Sequence, residues 1–444
     1  MDRVQRNQRL VFFCFLLSIV GACQPKTAKV LTEEGKSISW IDKDENENYV
    51  ARHECSFVQA GNEFVMFGGR ESAKRLDIYD FEKNTWRQGK QAPKEFNHFQ
   101  AIFHKGFIWV IGSFKTNSYP NELPEENVWL YDLPNDEWIK GTEIPKERRR
   151  GGAGLVVYDD KFYLVGGNTI GHNGGYVSWF DEYDPKKNTW KVLADAPRAR
   201  DHFHAAVYDG ELYAVAGRQS GGSGGTFTPL VDTVDVYDFK KANWSSLAQP
   251  LPTPRAAPGV AVFQEELLVM GGEGELAGPA YKTVEAFNFA TQKWTRKADM
   301  IYARHGTQAI LSGEGIYVAG GSPLRGGGNQ LNMEVYFKDS AQGAELQVAE
   351  LEAPEAIEIL REEDTTIELK NKSRIAGIFV NDLRIEGATG MPMEVKTPMQ
   401  NRLLDPKETF KITIGGTSTV GVGMGELVVY YNGTQMKHIP LSMK

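Results

Sequence analysis

The sequence predicts an all-β fold: a ring of six four-stranded repeats, closed by a strand from the N-terminal side and followed by a second, smaller all-β domain. Three observations predict it. Tryptophan recurs at positions 86, 138, 190, 244 and 294, spaced 50 to 54 residues apart, each seven residues after an aromatic (Tyr79, Tyr131, Tyr183, Tyr237, Phe287). An apolar strand ending in two small residues precedes each pair, at Gly68-Gly69, Gly112-Ser113, Gly166-Gly167, Ala216-Gly217 and Gly271-Gly272, and a sixth copy ends at Gly320-Gly321. After about Gly343 the repeat gives way to short alternating apolar stretches. Self-similarity at such a period marks a repeat architecture.

The fourth repeat shows how each unit divides. His202 to Tyr208 reads as a strand, Asp209-Gly210 as a hairpin turn and Glu211 to Ala216 as the returning strand. A long loop leads to Thr233 to Tyr237, and Asn243-Trp244 begins the fourth strand. Asp-Gly between two apolar runs is a strong hairpin signal. The sixth repeat supplies Ala309 to Leu311, Ile316 to Ala319 and Met333 to Tyr336, but no tryptophan follows. Ser37-Ile38-Ser39-Trp40 matches the register of Lys187-Asn188-Thr189-Trp190, so an N-terminal strand completes that repeat. Closure removes the exposed edges that invite pairing with other chains.

A glycine pair, a tyrosine and a tryptophan at this spacing resemble the Kelch repeat, over residues 36–343. The resemblance implies a six-bladed β-propeller with the aromatics filling the space between blades. It says little about activity, because one fold hosts many functions.

The N-terminal segment reads differently. Arg3, Arg6 and Arg9 precede an apolar run from Leu10 to Val20, as in a leader over residues 1–22. Val20-Gly21-Ala22-Cys23 resembles a bacterial lipobox, which implies lipidation of Cys23, with 23–35 as a tether. Gln24 after the cysteine points to the outer membrane, and hence to a cell-envelope protein whose only membrane contact is the anchor. Cys14 leaves with the leader and Cys23 carries lipid, so Cys55 is left without an internal disulfide partner. A formal charge of −8 argues against nucleic acid as partner.

Aligning the repeats on their small-residue pairs exposes a second column. Before the first strand of each repeat stand Arg52, Phe96, Arg150, Arg200, Arg255 and Arg304. The next register holds His53, Asn97, Gly151, Asp201, Ala256 and His305, and the one after it Glu54, His98, Gly152, His202, Ala257 and Gly306. Strand direction places these columns on the same face as the glycine-rich loops between second and third strands, where binding functions concentrate. The predicted ligand site is therefore Arg52, His53, His98, Arg150, Arg200, His202, Arg255, Arg304 and His305. Guanidinium forks suit carboxylates, phosphates or sulfates, although the same arginines could fix backbone carbonyls. His202 and His204, two apart on one strand, would share a face. With no Cys/His spacing motif, no metal site and no cofactor is predicted.

Galactose oxidase is a Kelch-type copper enzyme, but the likeness stops at the fold. Bacterial sialic acid epimerases are six-bladed Kelch proteins, and recognition of an acid by arginines fits them. The region 344–444 opens with an acidic linker, Glu345 to Glu355. About seven strands follow, among them Thr365 to Leu369, Gly377 to Ile385, Phe410 to Ile414 and Leu427 to Tyr431. That spacing predicts an immunoglobulin-like sandwich, similar to the ASH/HYDIN class. The sequence thus reads as a lipid-anchored envelope protein whose propeller binds a protein or an acidic glycan without catalysis. The alternative is an envelope enzyme acting on an acidic sugar, such as a sialic acid epimerase-like activity.

Overall fold

The structure is a computed structural model, and it describes residues 40–43, 48–222, 225–360, 363–389, 393–416 and 423–443. The leader, Cys23, the tether and residues 37–39 lie outside the described residues. No helix among the described residues is long and apolar enough to cross a membrane.

Six four-stranded antiparallel sheets follow one another. The first holds Cys55–Ala60, Glu63–Gly68, Leu76–Asp80 and Thr85–Gly89. The second holds Ile102–His104, Phe107–Val110, Asn127–Asp132 and Glu137–Glu143. The third holds Gly154–Tyr158, Lys161–Val165, Phe180–Asp184 and Thr189–Val192. The fourth holds His204–Tyr208, Glu211–Val215, Asp235–Asp238 and Asn243–Ser246. Gly259–Phe263, Glu266–Met270, Val284–Asn288 and Lys293–Arg296 form the fifth. The sixth joins Ala309–Ser312, Gly315–Ala319 and Met333–Tyr336 to the N-terminal strand Trp40–Asp42.

The seven-residue aromatic spacing is a cross-strand pair. Tyr79 faces Trp86, Tyr131 faces Trp138, and the register repeats through Phe287 and Trp294. In the sixth sheet the partner of Tyr336 is Trp40, 296 residues earlier in the chain. Several indoles also reach sideways to the preceding sheet. Trp138 donates to the Lys90 carbonyl (3.0 Å), Trp244 to Ala194 (2.9 Å), and Trp40 to Ala298 (3.0 Å). The aromatics therefore stitch neighbours together as well as fill volume.

The small-residue pair has a steric cause. A Cβ on Gly68 would lie 2.5 Å from the Phe96 carbonyl oxygen, and one on Gly271 would lie 2.3 Å from that of Arg304. The next amide uses that closeness: Gly69 donates to Phe96 (2.7 Å) and Gly272 to Arg304 (2.8 Å).

One residue per sheet forms an inner collar. His98 N–H donates to the Glu54 carbonyl (3.0 Å), Gly152 to His98 (2.7 Å), His202 to Gly152 (3.0 Å), Ala257 to His202 (2.7 Å) and Gly306 to Ala257 (2.9 Å). Cys55 donates to Gly306 (3.2 Å) and closes the circle. Every collar residue has positive φ, between 50° and 71°. His202 consequently precedes its strand, which begins at His204. His202 and His204 both line one small cavity, although His202 lies in the collar and only His204 in the strand.

The C-terminal region packs two sheets face to face. One orders Leu351–Glu352, Asp364–Asn371, Thr409–Gly416 and Met393–Val395. The other orders Ile357–Ile359, Gln435–Met443, Gly423–Tyr431, Ile378–Thr389 and Arg402–Leu404. Among the described residues that makes nine strands, four of them no longer than three residues. Ile359, Leu369, Leu427 and Ile439 build the core between the sheets. Phe379 and Leu403 instead enter a cluster with Phe107, Trp109 and Phe162 of the second and third propeller sheets. Leu403 N–H donates to the Pro185 carbonyl (2.9 Å), and Lys105 pairs with Asp405 (2.6 Å). Lys105 and Pro185 sit in hairpin turns, at the opposite end of the strands from the long loops.

Candidate functional site

The five arginines of the first column are each no more than 1% exposed, and apart from the unpartnered Arg200 Nε they donate chiefly to carbonyls and carboxylates of their own repeat. Arg200 donates to the carbonyls of Ala214, Ala216 and Thr233 (2.9, 2.9 and 2.8 Å) and pairs with Asp235 (2.6 Å). Arg150 donates to Gly166 and Leu164 and pairs with Asp181 (2.8 Å). Arg52 pairs with Asp77, Arg255 with Glu285 and Arg304 with Glu334. Burial draws Arg150, Arg200 and Arg255 down to about 10, still cations at neutral pH. The second repeat shows the rule by exception. Phe96 replaces the arginine, Trp129 stands where the carboxylate would be, and their rings meet at 6.2 Å. An apolar pair substitutes for a buried ion pair, a swap that is often energetically neutral.

The remaining predicted residues do meet at the mouth. His98 and His202 lie on the collar, while His53 and His305 stand one register before it. The residue after each small pair joins them, through short bridges such as Asp201 with Arg218, Ala256 with Glu273 and His305 with Ser322. Sequence reading missed Arg218 and Glu273, which pair while each is 1% exposed, and missed His172 and Glu122 altogether. The position after the small pair was the available signal for the first two. His172 sits in a short 3-10 turn, Gly171–Asn173, inside a loop, and carried no register.

Two clusters result. His98, His172 and His202 bring ligand atoms within 4.8 Å of one another, as do His53, Glu54 and His305. Glu54 links them, with its carboxylate 3.6 Å from both His98 Nε2 and His305 Nε2. Burial opposes ionisation of Glu273, but the charges of His305 and Arg218 and the Gly326 amide hold it down at about 2. Burial and the Arg70 charge hold His98 well below the usual imidazole range, and burial lowers His172 to about 4. A cavity of about 20 Å³, lined by Glu54, Cys55, His98, His202 and His204 among others, lies beneath the collar. That is room for about one water-sized species. A larger cleft, about 750 Å³, lies away from these groups, between the second sheet and the C-terminal domain near Lys140, Arg384 and Tyr430.

Above the mouth the long loops interlock. Asn173 bonds to Asn121, Ala280 N–H donates to Pro323 (2.8 Å), and Arg325 lies over the Phe227 ring at 4.2 Å. Their tips expose large apolar side chains: Tyr119 (58%), Leu123, Ile170, Leu276 (86%) and Leu324.

Residues 171–321 match the KLHDC2/KLHL20/DRC7 Kelch-repeats domain. The chain is 28% identical over 296 residues to the Kelch-like protein terF of Aspergillus terreus, covering 62% of each. It is 32% identical over 205 residues to Kelch-like protein 25 of Xenopus tropicalis, covering 44% of this chain and 32% of that protein. Alpha-scruin of Limulus polyphemus is 22% identical over 246 residues, covering 54% of this chain and 26% of that protein. The chain therefore spans less than two thirds of the curated relatives it matches. Among solved structures, that of YjhT superposes with a TM-score of 0.56 at 15% identity, covering 65% of this chain and 96% of that one, a likeness of fold. Geometry and comparisons agree on a β-propeller-like fold, with the match to Kelch repeats lying over residues 171–321.

Proposed function

We propose that this protein is a binding protein, a lipid-anchored cell-envelope propeller of six blades over residues 36–343 whose loop-rich rim takes a protein partner. The observation that carries the reading is the rim itself: five exposed apolar side chains, one or two per loop, on loops braced by one another. Apolar anchors on a rigid, polar-edged surface characterise protein-binding sites. Kelch-repeat proteins typically mediate protein–protein interactions, and this supports the choice over an acidic glycan. The arginines offer a glycan little, since their donors are already taken up by carbonyls and carboxylates. Residues 344–444 form an immunoglobulin-like sandwich that braces the opposite face.

The rim is tested by a protein and glycan array probed with wild type and with Tyr119→Ser, Leu276→Ser and Leu324→Ser combined. The variant should lose at least tenfold in affinity for the captured partner while melting as wild type does. Undiminished binding would remove the rim from consideration. Anchoring through Cys23 is tested separately with Cys23→Ser, which should abolish labelling by an alkyne fatty acid and release the protein from the membrane fraction. A second reading, an enzyme acting on an acidic sugar, draws on the convergence of Arg218, Glu273 and His305. The cavity at the collar, lined by Glu54, His98 and His202 among others and by none of these three, is about 20 Å³, far smaller than the roughly 300–1,000 Å³ of small-molecule sites. Absence of epimerisation of sialic acid, followed by NMR, would eliminate it.

A further inference from the structure

The histidines in the mouth are arranged as metal ligands rather than as packing. His98, His172 and His202 come from three separate segments, and their ring centroids form a triangle with sides of 5.0, 4.6 and 4.9 Å. Each Nδ1 faces an oxygen acceptor. Asn97 Nδ2 donates to the carbonyls of Glu95 and Thr116, which fixes its Oδ1 toward His98 Nδ1 at 2.6 Å. Asp201 accepts from His202 Nδ1 and is itself held by the Ser220 amide (3.0 Å) and hydroxyl (2.6 Å). Glu122 accepts from His172 twice, at the backbone amide (3.1 Å) and at Nδ1 (3.0 Å). With Nδ1 donating in His98 and His202, the lone pair of each of those two rings sits on Nε2; at His172 the Arg70 guanidinium also stands 3.3 Å from Nδ1. In His98 and His202 Nε2 is buried without any hydrogen-bond partner. Carboxylate or carbonyl on one ring nitrogen and a free lone pair on the other is the outer-shell pattern of metal-binding histidine.

His98 and His202 share the left-handed φ of the whole collar, at 52° and 53°, a geometry that glycine adopts at 152 and 306.

We propose that His98, His172 and His202 bind a divalent transition-metal ion, Zn²⁺ above others, with the fourth position facing Glu54. Three neutral imidazoles suit Zn²⁺ and its first-row neighbours, whereas Mg²⁺ and Ca²⁺ want oxygen. Coordination at about 2.0–2.1 Å draws the three nitrogens inward from their 4.8 Å bound and leaves one site open. Glu54, 3.6 Å from His98 Nε2, is placed to fill that position or to contact a ligand bound there. Cys55 is not part of the set, because burial pushes its thiol up to about 12. The site stands independently of what the rim binds.

The test uses the full-length protein, stripped with chelator, and Zn²⁺ alone. Wild type should take up one equivalent by calorimetry and retain it through desalting. Co²⁺ in its place should give the visible bands of a four-coordinate nitrogen site. His98→Gly with His202→Gly should abolish uptake yet keep the melting temperature, since glycine suits both positions. His172→Asn, in a loop, should abolish it as well. Glu122→Gln, which leaves all three ligands in place, should weaken affinity by about 10–100-fold. No stoichiometric uptake by wild type overturns the proposal. So does uptake that survives the glycine pair, which would trace to surface groups such as His438 beside Glu426.

Discussion

At the scale of single residues, the arginine column shows one register that left two roles open, anion binding and the fixing of backbone carbonyls, and the contacts in the structure are those of the second. The sequence placed five arginines at equivalent points, and the structure keeps that equivalence. What the sequence could not show was the carboxylate waiting in the third strand of the same sheet, because Asp235 lies 35 residues from Arg200 and looks like an ordinary strand-edge aspartate. Removing Arg200 takes the donor from one Asp235 oxygen, leaving Arg198 and Ser246 on the other, and from the buried carbonyls of Ala214, Ala216 and Thr233. Arg200→Ala should therefore cost about 3–5 kcal/mol of stability. Joining Arg200→Phe to Asp235→Trp, after the Phe96 and Trp129 pair, should recover most of that loss. Chemical denaturation of the three proteins measures both effects, and a double variant as weak as the single one would refute the equivalence.

At the scale of elements, the strands were legible wherever an aromatic pair or a hairpin turn marked them. The Tyr–Trp spacing is a cross-strand pair, so it reports topology directly, and it exposed the missing partner of Tyr336. Trp40 fills that place, 7% exposed, with its ring 5.3 Å from that of Tyr336. Trp40→Ala should lower stability by about 3–5 kcal/mol, as for other buried aromatics. Thermal melting is the check, and an unchanged melting temperature would mean the closing strand contributes nothing. What stayed illegible were features without a period. His202 looked like the start of a strand because left-handed backbone leaves no trace in a histidine. His172 and Glu122 meet across two loops, 50 residues apart, through a contact that only the ring creates.

For the whole molecule, the second domain is joined to the propeller by a docked face as well as by the linker. Phe379 and Leu403 complete a propeller core, and Asp405 receives both Lys105 and Lys186 (2.6 and 3.0 Å). His104 stands at this junction, and burial together with the Lys105 charge lowers it to about 4 against the opposing pull of Asp160 and Asp405. The native state therefore favours neutral His104, while the unfolded chain takes up a proton near pH 6.5. Its share of stability is complete above pH 6.5 and declines as pH falls toward 4, by up to about 3 kcal/mol. His104→Gln should flatten the fall in melting temperature across that window. An identical slope in both proteins would assign the acid sensitivity elsewhere.

The short closing strand has a mechanical consequence. Among the described residues, Trp40 to Asp42 pair with the neighbouring strand, and the Trp40 indole bond to Ala298, the Lys43 amide bond to Met333 (2.9 Å) and the Lys43–Asp339 ion pair (2.6 Å) stand beside them. A load applied to the chain from the N-terminal side meets this seam before any other strand of the ring. The sandwich, attached elsewhere, bears none of that tension. Pulling would peel Trp40 from Tyr336 and open the sixth sheet while the other five stay intact. The ring is thus built with a designated point of yield, located where an outside force arrives.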